Sequence, residues 1–189
     1  MILALSVAVG FVVGWARYRG RIFGRIAALP LRSTWLALLA VALQLPLLRA
    51  PAGSVERIRV QQVLFLLSHL VLLIFVWRNR RLTGIQILGL GVMCNLLVIA
   101  VNGGFMPIAP QTLTRINPGS LPSQWLAGLY YGYSKDIILL REQTRFEMLS
   151  DMWVIPPPFP WPTAFSLGDI LIALGIMVLL QGSAVTGRS

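Results

Sequence analysis

The sequence is poor in charge, in cysteine and in histidine. Only 12% of its 189 residues are charged, whereas 57% are hydrophobic. Because soluble domains are about one-quarter charged, this composition excludes an ordinary soluble domain and indicates a membrane protein. A single cysteine, Cys94, excludes an internal disulfide and a thiolate metal site. The only histidine, His69, is expected to be a hydrogen-bonded packing residue rather than a proton relay or a haem ligand.

Signatures of common enzyme classes are also missing. The sequence contains no P-loop, no Rossmann glycine pattern and no GxSxG, HExxH or CxxC motif. All six carboxylates lie outside the apolar stretches. Catalysis would therefore depend on the outer segments, with Glu142, Glu147, Asp151 or Asp169 acting beside Arg141 or Arg145. We favour a non-catalytic protein with no cofactor and no metal site.

Five uncharged apolar stretches are present instead. They are Ile2–Ala16, Thr34–Leu48, Val60–Trp77, Ile85–Val101 and Ile170–Gln181. A helix needs roughly 17–25 residues to cross the hydrocarbon core, so the second and fifth are the weakest candidates, and either could be re-entrant. The first stretch starts directly after Met1 and cations follow it, an order that predicts an uncleaved anchor rather than a signal peptide.

The positive charges are unevenly distributed between the connecting segments. If the N-terminus lies outside, the inner segments carry no acid, and their cations are Arg17, Arg19, Arg21, Arg25, Arg32, Arg78, Arg80, Arg81 and Arg188. The outer segments carry the other seven cations and all six acids. Short arginine-rich loops stay cytoplasmic, which predicts an N-out, C-in topology. The net charge of +10 then faces membrane lipids rather than nucleic acid.

A long segment without an apolar span, Asn102–Gly168, separates the fourth and fifth stretches. Its many Trp, Tyr and Phe residues argue against disorder, because disordered segments lack aromatics. We expect an ordered extracytoplasmic cap. The predicted organisation is a four-helix transmembrane region over 1–101, the cap over 102–165, and a fifth helix with a short cytoplasmic tail over 166–189.

Two short helices and a strap are predicted inside the cap. Apolar residues at i, i+4 and i+8 predict a helix over Ser123–Tyr133, which would pack on the bundle or line a lipid or ligand entrance. A second helix is expected over Ser134–Ser150. The prolines of Ile155–Pro162 exclude a helix, because proline lacks the amide donor and fixes φ. An extended strap that returns the chain to the last helix is expected there, or else a docking motif for a partner.

Uncharged polar residues inside the apolar stretches gather in their outer halves, at Gln44, Gln62 and Asn95, and near the bilayer middle at His69. Such groups are costly in lipid and are expected to face the bundle interior. They would either form hydrogen bonds between helices or line a polar cavity that opens outward.

Two segments at the ends of apolar stretches combine capping signals with candidate sites. The segment Asn102–Gly104, followed by Pro107, is typical of a helix C-cap. Its glycines would also let the backbone approach a ligand closely. Ser166 and Asp169 have the spacing of a capping box, and Asp169 would alternatively form an ion pair with a cap arginine such as Arg145.

The first stretch carries small residues at four-residue spacing, namely Ser6, Gly10 and Gly14. This small-xxx-small pattern predicts a close helix contact. The contact would be with another helix of this chain or with a partner protein.

The sequence also resembles a known family. Asn-Gly-Gly-Phe-Met-Pro at 102–107, Thr-Arg-Phe at 144–146, Leu-Ser-Asp at 149–151 and the segment 162–169 resemble the domain-of-unknown-function 5317 family of small polytopic bacterial proteins. The resemblance carries no activity. It implies only that recurring family positions are occupied here by Asn102, Gly103, Gly104, Pro107, Arg145, Asp151 and Asp169.

Two functions are compatible with these observations. The first is a non-catalytic accessory subunit or scaffold of the bacterial cytoplasmic (inner) membrane, multi-pass, in contact with membrane lipids and docked to other membrane proteins. The alternative is an outward-facing binding protein or enzyme for a lipid-like or small amphipathic molecule at the cap–bundle interface, with Arg145 and Asp169 at its mouth. The fold expected in both cases is all-α, with about five transmembrane helices.

Overall fold

The computed structural model describes residues 2–18, 22–48, 55–131 and 135–181, and the chain is mostly helical. The α-helices are α1 (Ile2–Tyr18), α2 (Ile22–Ala27), α3 (Thr34–Gln44), α4 (Val55–Arg78), α5 (Thr83–Val101), α6 (Pro110–Ile116) and α7 (Leu167–Gln181). Short 3₁₀ turns cover Leu45–Leu48, Pro122–Gln124, Arg141–Gln143 and Glu147–Leu149. The strands are β1 (Met106–Ile108), β2 (Asp136–Ile138), β3 (Trp153–Ile155) and β4 (Thr163–Phe165).

All five predicted apolar stretches are helical, but they differ in length. Within the described residues, two helices are long and apolar enough to cross a membrane: Ile58–Arg78 of α4 and Thr83–Val101 of α5. α1, α3 and α7 are apolar but shorter. The structure therefore supports two candidate membrane-spanning helices.

The long helices form a bundle in which α7 packs between α1 and α5, while α4 packs against both α5 and α3. The connection between α4 and α5 spans only residues 79–82 and makes these two helices antiparallel neighbours. Glycines bring α5 and α7 close together. A Cβ atom on Gly84 would lie 2.7 Å from the carbonyl oxygen of Gly175, and one on Gly175 would lie 2.6 Å from the carbonyl oxygen of Gly84. Only glycine permits this approach.

Gly10, in the small-residue pattern of α1, contacts another helix of the same chain. A Cβ atom on Gly10 would lie 2.8 Å from Cδ1 of Leu180 in α7. The side-chain amide of Gln181 also donates to the carbonyl oxygen of Gly10 at 2.8 Å. Gly14 is buried, and the side chain of Ser6 lies outside the described part of the structure. For Gly10, the partner helix is therefore α7.

The cap contains two small sheets, which the all-α prediction did not include. β1 and β2 are parallel, with Met106 opposite Asp136. β3 and β4 are antiparallel, with Trp153 opposite Phe165. The cap packs on the bundle through an apolar cluster that joins Phe105 to Phe65 and Val98.

The predicted helix over Ser123–Tyr133 is wrong. Beyond the 3₁₀ turn Pro122–Gln124, the described residues up to 131 follow β2 instead, because their backbone groups pair with that strand. The amide of Gly128 donates to the Ile138 carbonyl at 2.7 Å, and the Ile138 amide donates to the Leu129 carbonyl at 2.8 Å. Gly128 also has φ +88°, a left-handed conformation that interrupts a helix.

The predicted helix over Ser134–Ser150 is also wrong, because its first half forms β2 and pairs with β1. Two 3₁₀ turns follow, separated by Phe146 in a left-handed conformation with φ 55°. The predicted proline-rich strap is non-helical, as expected, but it is not extended. Residues 156–162 form the loop between β3 and β4, so the chain reverses direction there.

Candidate functional site at the boundary of cap and bundle

The only lysine of the sequence, Lys135, reaches from the cap into the bundle. Its carbonyl oxygen accepts a hydrogen bond from the Met106 amide at 3.0 Å, which holds it at the start of the β1–β2 pair. Its ammonium group donates to Oε1 of Gln44 at 2.8 Å and lies 5.3 Å from the centre of the Phe65 ring. The pairing of two short strands thus places a cation between α3 and α4.

A chain of hydrogen bonds continues from Lys135 into α4. Nε2 of Gln44 donates to the Ser68 hydroxyl at 2.9 Å, and this hydroxyl donates to the Phe65 carbonyl at 2.6 Å. Nδ1 of His69 lies 2.9 Å from the same carbonyl oxygen. Because a carbonyl can only accept, Nδ1 carries the proton and Nε2 is left as an acceptor. His69 and Ser68 are both buried, so this network is fixed inside the bundle.

On the opposite side, Asp169 is held by a second network at the start of α7. Nδ2 of Asn95 donates to Oδ1 of Asp169 at 2.9 Å, and the Ser166 hydroxyl donates to Oδ1 of Asn95 at 2.9 Å. The Asp169 amide donates to the Ser166 hydroxyl at 3.0 Å, and the Ser166 amide donates to Oδ2 of Asp169 at 3.3 Å. This is the predicted capping box, and it aims one carboxylate oxygen at α5.

The predicted ion pair between Asp169 and Arg145 does not form among the described residues, since Asn95 and Ser166 are the partners that the structure gives to Asp169. Arg145 is anchored through its backbone: its amide donates to Oδ1 of Asn102 at 2.9 Å, and its carbonyl accepts from Nδ2 of Asn102 at 2.8 Å. Its side chain is exposed. Asn102, rather than an arginine, therefore ties the cap to the end of α5.

Asp151 is the most unusual residue of the site. It is 8% exposed, and its amide donates to the carbonyl of Pro107 at 3.1 Å. Its side-chain oxygen Oδ1 has no hydrogen-bond partner within the described residues. Burial raises the pKa of Asp151 well above the usual carboxyl range, and the neighbouring carboxylates of Asp136 and Asp169 raise it further, against the opposing charge of Lys135. Burial therefore favours the protonated form of this acid.

Lys135 is perturbed in the opposite direction. Burial lowers its pKa, because the ammonium form loses hydration, while the carboxylates of Asp136, Asp169 and Asp151 act to raise it. The Lys135 ammonium group thus faces three acidic side chains.

These groups surround a small cavity, which we call the charged cavity, with a volume of about 140 Å³. Its polar lining includes Gln44, His69, Asn95, Lys135, Asp136, Asp151 and Asp169. Its apolar lining includes Phe65, Leu72, Val92, Ile99, Met106 and Ile172. The lining is amphipathic, with charged, amide and imidazole side chains facing apolar ones. In the part of the chain that the structure describes, no group of three or more His, Cys, Asp or Glu residues could hold a metal ion.

The structure divides the sequence-predicted residues into two groups. Gln44, His69, Asn95, Asp151 and Asp169 line the charged cavity. The others brace the cap: Nε2 of Gln62 donates to the Gly103 carbonyl at 2.6 Å, and a Cβ atom on Gly104 would lie 2.9 Å from Gln62. Gly103 and Gly104 both have positive φ, as expected of a helix C-cap. Pro107 is buried, and its carbonyl oxygen accepts the hydrogen bond from the Asp151 amide.

Lys135 and Asp136 are functional candidates that the sequence did not reveal. A lone lysine beside an aspartate in an aromatic-rich segment was the available signal. That signal did not identify a site, because the segment was expected to form a helix.

A comparison with known families gives a clear result. The chain belongs to the DUF5317 family, a family of unknown function. The family model matches residues 28–181, which include every residue of the charged cavity named above. Membership predicted from the short motifs is therefore confirmed.

An uncharacterized protein of Thermotoga maritima is 28% identical over 120 residues. The match covers 62% of this chain and 62% of that protein. No solved structure matches this chain.

Proposed function

We propose that this DUF5317 protein is a multi-pass protein of the bacterial cytoplasmic membrane, with five membrane helices, an outer N-terminus and an inner C-terminus. The side-by-side packing of α1, α3 and α7 with the two long helices supports this arrangement. Apolar side chains that are more than half exposed on the bundle surface are suited to lipid contact, and they include Leu38, Val63, Ile74, Leu90 and Met93. The arginine-rich, acid-free inner segments support the orientation.

We further propose that the charged cavity binds a small amphipathic molecule from the outer side. The observation that carries this proposal is the buried oxygen Oδ1 of Asp151, which has no partner among the described residues although Lys135 and Asp169 line the same cavity. A buried polar atom without a partner is costly, and buried charges in membrane helices mark binding sites or ion pathways. A ligand that donates a hydrogen bond to Asp151 would satisfy it.

The lining defines the chemical class of this ligand. Its polar end would carry a hydrogen-bond donor, such as a hydroxyl or amine, for Asp151, and an acceptor for the Lys135 ammonium group. Its apolar part would face Leu72 and Ile172. A volume of about 140 Å³ accommodates a few non-hydrogen atoms, which suits a small molecule or the head of a larger lipid rather than a whole lipid.

Mass spectrometry of small molecules that co-purify in mild detergent would test this proposal. We expect wild-type protein to retain a defined molecule that Asp151→Leu, which lacks the acceptor oxygen, loses. Arg145→Gln is the matched control, since that side chain is exposed and does not line the charged cavity. An Asp151→Leu variant that retains as much of the same molecule as wild type would refute the binding role, as would a wild-type protein without any bound molecule.

A second candidate function is the non-catalytic accessory subunit that docks other membrane proteins. The supporting observation is the exposed apolar surface of the cap, where Met148 is 75% and Trp161 is 67% exposed. Under this proposal, Met148→Ser with Trp161→Ser would release a stoichiometric partner, while Asp151→Leu would not. Because Gly10 packs against α7, substitutions at Gly10 would disturb the bundle itself and are unsuitable for this test.

A further inference from the structure

The end of the bundle opposite the cap contains a second and larger cavity, which we call the basic cavity. Its volume is about 560 Å³. It lies where the loop before α3 meets the connection between α4 and α5. Its lining includes Arg32, Arg78, Arg80 and Arg81, together with Trp77.

The backbone around the basic cavity is fixed by Asn79, which is 4% exposed. The Arg32 amide donates to Oδ1 of Asn79 at 2.7 Å, and Nδ2 of Asn79 donates to the Arg32 carbonyl at 2.8 Å. The same Nδ2 donates to the Phe75 carbonyl at 2.8 Å, and Nε2 of Gln86 donates to the Arg80 carbonyl at 2.9 Å. The arginines therefore extend from an ordered frame that joins two separate segments of the chain.

The charge of the basic cavity is uncompensated within the described residues. The acidic side chains that the structure describes belong to the cap or to the cap end of α7, and the ion pair it records is the cap pair Arg141–Glu147 at 3.4 Å. The Arg80 guanidinium carbon lies over the Trp77 ring, 4.0 Å from its centre, at cation–π distance. Four arginines that line one cavity without an acid favour an anion between them.

We propose that the basic cavity binds the phosphate group of an anionic phosphate ester. Planar guanidinium groups donate paired hydrogen bonds that match phosphate oxygens. Basic pockets at the cytoplasmic ends of membrane helices bind anionic lipid head groups. Trp77, which is 67% exposed, offers an aromatic wall at the level where such a head group would lie. This inference rests on the proposed membrane topology, but it does not depend on the proposed function of the charged cavity, which lies at the other end of the bundle.

The test is native mass spectrometry of full-length, delipidated protein in detergent, with added phosphatidylglycerol, phosphatidylcholine or glycerol 3-phosphate. We expect wild type to retain phosphatidylglycerol at least tenfold more strongly than net-neutral phosphatidylcholine. Arg80→Gln with Arg81→Gln should weaken that retention by about 30-fold, the effect of removing two cations that face an anionic lipid. The matched control is Arg141→Gln with Arg145→Gln, two exposed cap arginines, which should leave retention unchanged.

The soluble probe distinguishes the two sources of the phosphate group. Displacement of the lipid by glycerol 3-phosphate would identify a soluble phosphate ester as the natural ligand, whereas no displacement would identify a membrane lipid. Equal retention of the two lipids by wild type, or unchanged phosphatidylglycerol retention in the glutamine variant, would overturn the proposal.

The glutamine variant removes positive charge that also orients the helices in the membrane, and it could therefore fail to insert. A second variant keeps the proposal testable in that case. Arg80→Lys with Arg81→Lys keeps the charge but removes the planar fork. If the glutamine variant does not insert, a loss of at least about threefold in the lysine variant supports the phosphate site, and wild-type retention overturns it.

Discussion

Replacement of Asp151 by Asn should make the protein less sensitive to rising pH. The pKa of Asp151 is raised in the folded protein by burial, so the folded state keeps a proton that the unfolded chain has released. Wild-type stability therefore falls as pH rises, from the usual carboxyl pKa of about 3.9 up to the raised pKa of the folded state. Asn has the shape of the protonated acid and cannot ionise, so Asp151→Asn removes this loss.

The size of the effect follows from the single proton involved. One proton of difference between folded and unfolded states changes the free energy of unfolding by about 1.4 kcal/mol per pH unit. For a chain of this length, that corresponds to about 3–6 °C in the thermal midpoint per pH unit. The thermal midpoint of Asp151→Asn minus that of wild type should increase by up to this amount per pH unit above pH 5. The increase should stop at the pH where Asp151 of the folded wild-type protein ionises.

The assay is thermal unfolding of detergent-solubilised protein between pH 5 and pH 9 in one detergent, followed by circular dichroism. Glu147→Gln is the control, because Glu147 is a solvent-accessible partner of Arg141 rather than a buried acid. The difference in thermal midpoint between Glu147→Gln and wild type should change little between pH 5 and pH 9. A difference between Asp151→Asn and wild type that is constant with pH, or that grows toward acidic pH, would refute the reasoning.

Three further substitutions test other parts of the structure. Asn102→Ala removes two hydrogen bonds to the Arg145 backbone in the cap and one to the Val98 carbonyl within α5, and unfolding measurements should show a loss of about 2–4 kcal/mol. Gly91→Leu places side-chain atoms against Ile172, whose Cγ1 lies 2.8 Å from the new Cβ position, and should lower stability by about 1–3 kcal/mol or more. Lys135→Met removes the cation facing the acids and should lower the thermal midpoint more at pH 8 than at pH 5.

Each of these has a control within the same chain. Gln124→Ala removes an exposed amide with a single bond to the Leu121 amide, and a loss equal to that of Asn102→Ala would contradict the clamp. The side chain of Gly24→Leu would enter open space. A loss of stability equal to that of Gly91→Leu would therefore contradict the close α5–α7 contact. Arg145→Gln removes an exposed cation, and if it reproduced the pH dependence of Lys135→Met, the effect would be one of net charge rather than of the cavity.

Local signals were sufficient wherever the determining contacts are close in sequence. The end of α5 is an example: Gly103 and Gly104 adopt the left-handed conformations expected of a C-cap. The start of α7 is another example, since the side chains of Ser166 and Asp169, three residues apart, each accept a hydrogen bond from the other's backbone amide. The same signals failed within the cap. Backbone pairing of residues 128–131 with β2, and of β2 with β1, overrode a helical apolar spacing.

The sequence by itself determined the family, the two helices long and apolar enough to cross a membrane, and the concentration of acids in one segment, because composition and short motifs carry those properties. Only the tertiary structure brought Lys135, Asp151 and Asp169 to one cavity, since they come from three segments joined by strand pairing and by the glycine contact of α5 with α7. It likewise joined Arg32 to the α4–α5 turn through Asn79. Such sites depend on hydrogen bonds between residues more than thirty positions apart, and spacing along a single chain does not encode which of those pairs will form.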